Sequence, residues 1–168
     1  MISLSIDAIN ARAPYVVEQA ESTTFFFTTK QGVLYSVGFV RDYSFLQDGL
    51  YQFFITNVNH IHANAEDGVF ETVKVIVEEF FAQGQPVMLY ICDTMDDRQA
   101  VRDRLFQMWF HMYISNTTFT MYNEQVCIDN IQYFASIILR KDHPQHNLII
   151  NTFHDFVQDI PNKLDSLQ

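Results

Sequence analysis

The chain reads as one α+β domain, a mainly antiparallel or mixed sheet in the order β-β-β-α-β-α-β-β-α with its helices packed on one face. Three observations predict this. Apolar residues alternate with polar or small ones through the first third, punctuated by Gly-containing turns. The period then changes to three and four over residues 67–83. Hairpin signals dominate the connections, and only the centre reads as a βαβ unit, which is not the pattern of a doubly wound fold.

Residues 1–22 carry the weakest pattern. Ile2, Leu4 and Ile6 alternate, as do parts of 15–20, which leaves room for one more short strand in front. Residues 23–29, Thr-Thr-Phe-Phe-Phe-Thr-Thr, are β-branched and aromatic throughout. Lys30-Gln31-Gly32 makes a turn in which Gly32 supplies a positive φ, and Val33, Tyr35, Val37 and Phe39 alternate after it. Asp48-Gly49 marks a second turn, followed by Tyr51, Phe53 and Ile55 as the third strand of a meander.

Val69, Phe70, Val73, Ile76, Val77, Phe80 and Phe81 then form one face of a helix, with Glu71, Lys74 and Glu78 opposite. Asp67 is read as its N-cap and Gly84 as its C′ residue ahead of Pro86. Residues 87–92 are a short apolar run, most simply a buried strand. Thr94-Met-Asp-Asp97 has the form of a capping box, and Val101, Leu105, Met108, Trp109 and Met112 give the apolar, core-facing stripe of a helix ending near Tyr113. Residues 119–128 and 131–140 are two strands around Asp129-Asn130. His143-Pro144 opens the last helix with Pro144 at N1. Leu148, Ile149, Phe153, Phe156 and Ile160 face the core there, and Pro161 ends it.

Composition narrows the function classes. Of 168 residues, 48% are apolar and 15% aromatic, enough for one core and too many for a disordered chain. No linker interrupts the chain, so residues 1–168 are read as a single domain. Twenty acidic against ten basic residues, a net charge of -10, disfavour nucleic acid and anionic membrane surfaces as partners. Cys92 and Cys127 form no CxxC pair or Cys/His cluster, which argues against a disulfide scaffold or structural zinc. The start lacks the pattern of a signal peptide and no run approaches a membrane span, so the expectation is a reduced cytosol. The sequence contains no GxGxxG, P-loop, GxSxG or HExxH. No cofactor or metal set is indicated, and no residue is assigned a catalytic role.

The segment from Cys92 to Arg104 is the best candidate site. It lies at a strand-to-helix junction, with Asp93 at the strand end and Arg98 and Arg102 four residues apart. Two guanidiniums on one helix face can grip a carboxylate or phosphate, with Asp93 or His143 as acid or base. Arg98, Arg102, Arg104, Arg140 and Lys141 make up five of the ten basic residues, the one non-random charge pattern in the chain. The competing reading is structural: the arginines neutralise Asp93, Asp97 and Asp103. Cys92 continues an apolar strand and reads as buried, and His60-Ile-His62 lacks a third ligand. A different candidate is the outer side of the first hairpin. Phe26, Leu34 and Phe54 would form an apolar patch there, suited to a homodimer or a protein partner.

Three stretches bear on relationship. They are Phe26-Phe-Thr-Thr-Lys-Gln-Gly-Val-Leu-Tyr35-Ser-Val, then Tyr90-Ile-Cys-Asp-Thr-Met-Asp-Asp-Arg-Gln-Ala-Val-Arg102-Asp-Arg-Leu-Phe-Gln-Met-Trp-Phe110, and Asp142-His143-Pro144. Together they resemble a family of small bacterial proteins, of Bacteroidetes type, classed as a domain of unknown function. The resemblance covers roughly residues 15–163 and leaves 1–14 as an addition at the front. It implies a bacterial cytosolic single domain and assigns no chemistry to any position. The leading functional expectation is a non-enzymatic interaction or binding module. The alternative is a small enzyme, or a binder of an anionic small molecule, working through the Asp93–Arg102 segment.

Overall fold

The computed structural model of the chain describes residues 2–64 and 66–165. Among these are seven strands and four helices, an α+β arrangement with a mixed sheet, as the sequence predicts. Contacts divide the chain into two compact units, Met1–Val40 with Phe53–Pro86, and Arg41–Gln52 with Val87–Gln168.

The first unit opens with α1 (Ile6–Asn10), where the sequence pattern suggests a strand. Ser5 decides the matter: its hydroxyl accepts from the Ala8 N–H at 3.2 Å, an N-cap that holds one helical turn and leaves Leu4 and Ile9 buried. The additional front strand exists as β1 (Val17–Glu21), antiparallel to β2 (Thr24–Thr28), which is antiparallel to β3 (Leu34–Asp42). Gly32, at φ 79°, makes the β2–β3 turn. The pleat sorts the Phe triplet. Phe25 and Phe27 are buried on the face that also carries Phe39 and, from β4 (Leu50–Asn57), Phe53. Helix α2 (Asp67–Phe81) covers that face with Val73, Ile76, Val77, Phe80 and Phe81, and the Phe39 and Phe80 rings stack with centroids 4.1 Å apart. Asp67 is the first helical residue, and the N-cap is Glu66, which makes no side-chain capping bond.

Gly38 sits on the opposite face of β3. A Cβ there would lie 2.5 Å from the Thr23 carbonyl oxygen and 2.7 Å from the Phe54 ring. The ring can shift, but the carbonyl is fixed by the Phe39 N–H it accepts at 3.0 Å. Gly38→Ala is therefore expected to cost about 1–3 kcal/mol. Urea unfolding measures this; an unchanged midpoint would mean that the strands have room to part.

In the second unit, β5 (Met88–Ile91) runs antiparallel to β7 (Ile131–Arg140), with Leu89 opposite Ile137 and Tyr90 opposite Ser136. Strand β6 (Phe119–Ile128) joins β7 through the two-residue turn Asp129–Asn130, both at positive φ (50° and 64°), the left-handed pair of a type I′ hairpin. The strands are hydrogen-bonded in the order β1-β2-β3-β4-β5-β7-β6. Leu50, Val87, Leu89, Ile137 and Leu139 form a core with Ile149, Phe153 and Val157 of α4 (His146–Asp165). Tyr90 points the other way and meets Phe106 of α3 (Gln99–Tyr113), with ring centroids 4.1 Å apart. Where the sequence reading puts the helices on one face, this unit carries them on both. The cause is visible in β5: Met88 and Leu89 are both buried, so each face of the strand needs cover.

Several boundaries also differ. Helix α4 starts at His146, after a turn containing Pro144, and Pro161 lies inside it, in a last stretch that continues without that residue's N–H. Leu148, expected on the core side of α4, is 60% exposed. Among the described residues no helix is long and apolar enough to cross a membrane.

Candidate functional site

The Cys92–Arg102 segment does not form the expected capping box. Helix α3 begins at Gln99, with Arg98 as an N-cap that makes no side-chain capping bond. The acids serve the loop before it. The Asp93 carboxylate accepts from the Met95 N–H at 2.9 Å, and the Asp96 carboxylate accepts from the Arg98 N–H at 3.2 Å. Asp97 takes a left-handed φ of 55°. These Asx-type bonds compete with helix for the same backbone donors and delay its start.

Arg102 is held by this loop. Its guanidinium donates twice to the Asp96 carboxylate, at 2.7 and 2.6 Å, and once to the Asp93 carbonyl at 3.0 Å. The bidentate bond from Arg102 is the main reason the Asp96 carboxyl falls to about 2. Arg98 is exposed, and its guanidinium makes no ion pair among the described residues. The structure does not bring His143 to this cluster. In the β5–β7 register, Ile91 faces Ala135 and Met88 faces Ile138, so the chain beyond Ile91 and the chain beyond Arg140 leave at opposite ends. At ~3.3 Å per residue the two ends are roughly 20 Å apart. The His143 imidazole instead accepts from the Gln145 N–H at 3.1 Å, ahead of α4. Cys92 is buried, and burial first, then the charge of Asp103, pushes its thiol up to about 12. Cys127 is exposed.

The feature the sequence reading misplaced is the orientation of α3. Its buried face holds Phe106, Trp109 and Phe110, and with them the polar Gln99 and Asp103. Burial raises the Asp103 carboxyl, against a 2.7 Å bond from the Gln107 amide that lowers it. Of the stripe expected in the core, Trp109 alone is there. Val101, Leu105, Met108 and Met112 are 44, 45, 45 and 67% exposed. Spaced by four, three and four, they occupy an arc of roughly 60° at about 100° per residue. This is the d-a-d-a seam of a helix built to pack against another helix. Met95, in the preceding loop, is 92% exposed. At that pitch Arg104 and His111 border the seam on one side and Arg102, already paired with Asp96, on the other, while Asp103, the helix's own acid, faces inward.

Two further apolar features stand nearby in interest. Phe26, Leu34 and Phe54 do share the outer face of the first unit's strands, each half-buried. Under α4, Ile91, Val126, Ile128, Phe156 and Ile160 help line an apolar recess of about 280 Å³.

Residues 65–155, more than half of the chain, match DUF6169, a family of unknown function. The chain belongs to that family. The DUF6169 region runs from the start of α2 into α4, so it contains the Asp93–Arg102 loop and the whole of α3. The first hairpin, although part of the resemblance read from the sequence, lies outside it. Comparison with curated proteins and with solved structures gives no match.

Proposed function

We propose that the chain is a non-enzymatic protein-interaction module and that the exposed seam of α3 is its docking surface. The observation that supports this is the exposure of Val101, Leu105, Met108 and Met112 on one line of one helix. Single exposed apolar residues are ordinary, but a contiguous apolar strip on a charged protein is a mark of an interface. Covering the exposed half of each side chain would contribute roughly 1 kcal/mol apiece, enough to matter for association. The pairing of Arg102 with Asp96 speaks for the same reading, because an anion site would need that guanidinium open. The reading includes a reduced, bacterial cytosol: the unpaired, exposed Cys127 suits such a compartment, and the bacterial setting rests on the resemblance.

Affinity purification from native cells with the wild-type chain and with a Leu105→Glu/Met108→Glu variant tests the proposal. A protein retained by the first and lost by the second is expected. Identical sets from both, with the variant folded by circular dichroism, would remove α3 as the docking surface.

A further inference from the structure

We infer that β6 pairs edge to edge with β6 of a second copy of this chain, antiparallel about a two-fold axis at Asn123; this goes beyond the α3 reading and makes no use of that seam. The register of β6 on β7 shows which backbone groups are open. The Lys141 N–H donates to the Thr118 carbonyl at 2.9 Å, which marks a hydrogen-bonded position of the ladder. Antiparallel alternation then turns Thr120, Tyr122, Glu124 and Val126 toward β7. On the other side of β7, the Cys92 N–H donates to the Phe134 carbonyl at 3.1 Å, the complementary parity. The N–H and C=O groups of Met121, Asn123, Gln125 and Cys127 therefore point away from β7, at the end of the strand order, and have no partner among the described residues. The side chains of Asn123, Gln125 and Cys127 are exposed as well.

Strand β1, at the other end of the order, is protected against such pairing. It is five residues long, carries Glu18 and Glu21, and shifts register between Gln19 and Glu21. The Asn10 side chain also occupies its outward groups, accepting from the Val17 N–H at 2.7 Å and donating to the Val17 carbonyl at 2.8 Å. Strand β6 has ten residues in one unbroken register, without proline, lysine or bulge. A row of donors and acceptors at that spacing is met by another extended strand. The charge of β6 selects which one. Its single ionisable carboxylate, Glu124, is held by His154 at 2.5 Å, so the edge offers a foreign strand of either sign no free charge to read. Its own sequence, in contrast, matches it. A copy turned about Asn123 sets Asn123 opposite itself, Met121 opposite Gln125 and Phe119 opposite Cys127, which pairs every open group of Met121, Asn123 and Gln125. Glu124 then faces Tyr122, and Val126 faces Thr120. The next register, turned about Glu124, would set that carboxylate against itself. A two-fold contact of this kind is the commonest form of oligomer.

Light scattering of the full chain across concentration tests this. A dimer is expected. Gln125→Pro removes an outward N–H without touching the β6–β7 ladder, and is expected to leave a monomer with an unchanged circular dichroism spectrum. Tyr122→Lys and Tyr122→Glu lose the same ring and set opposite charges against Glu124 at two symmetric places. The Lys variant is therefore expected to dimerise at least about tenfold more tightly than the Glu variant. Equal constants, or a tighter dimer of the Glu variant, would overturn the inference. So would a monomer at every concentration up to about 1 mM; a protein captured by the wild-type chain and lost by Gln125→Pro would then put a foreign strand on this edge. A dimer dissolved by Leu105→Glu/Met108→Glu and untouched by Gln125→Pro would also overturn it, and would place the second copy on α3.

Discussion

Trp109→Ala is expected to lower the unfolding free energy by about 3–5 kcal/mol, whereas Met108→Ala, one residue earlier, changes it by less than about 0.5 kcal/mol. Trp109 is 4% exposed and stacks on Phe106 with ring centroids 5.5 Å apart, and Phe106 in turn lies over Tyr90 of β5. Removing the indole opens a cavity that the strand beneath cannot fill, because Met88 and Leu89 fix β5 from within its two faces. Met108 has half of its surface in water and loses little by truncation. Methionine and alanine are both good helix formers, so the substitution reports burial and not propensity. Urea unfolding of the two variants measures the contrast. A Met108→Ala loss as large as that of Trp109→Ala would mean the seam is packed in solution, against a copy of the chain or within it, and would withdraw the docking surface.

That contrast also locates the limit of what the sequence reveals. The turns were legible because their causes are local. Gly32 sits where a positive φ is required, and Asp129–Asn130 supplies the two left-handed residues of a tight hairpin. Helix α2 was legible because most of its apolar residues fall on one side, with Val75, also buried, the exception. Helix α3 has apolar residues on two sides: Val101, Leu105, Met108 and Met112 are regularly spaced, while the buried set is interrupted by Gln99 and Asp103. Periodicity identifies a helix and cannot say which of two apolar arcs the sheet will cover. The candidate site failed to be legible in a similar way. Asp93, Asp97 and Asp103 were the acids expected to neutralise the arginines, but Asp96 holds Arg102. The left-handed backbone at Asp97 and the late start of α3 create that pairing, and neither follows from spacing along an assumed helix. The separation of His143 from Asp93 is a matter of strand register, which only the paired β5 and β7 express.

On the other face of the same strands, Phe153→Ala is expected to cost about 3–5 kcal/mol, and Leu148→Ala less than about 0.5 kcal/mol. Both residues were expected on the core side of α4, and the structure separates them. Phe153 is 1% exposed, packed among Leu89, Ile137, Leu139, Ile149 and Val157, with the Phe45 ring 5.8 Å away. Its ring fills space between helix and strands, and truncating it leaves a cavity that a close-packed core closes only in part. Leu148 lies near the start of α4 and faces outward. Denaturant unfolding of each variant, read at unchanged m-value, gives the two costs. The pair of α3 variants and the pair of α4 variants then bear on each other. If Trp109→Ala and Phe153→Ala each destabilise while Met108→Ala and Leu148→Ala do not, β5 and β7 are a layer covered on both faces. The exposed seam of α3 is in that case the outward side of a helix already anchored by its own core. A docking surface needs that independence: it must stay apolar and open without loosening the fold that presents it. A low cost for Phe153→Ala would instead mean that α4 is only loosely held to the strands, and β5 would no longer be the two-faced layer on which α3 is anchored.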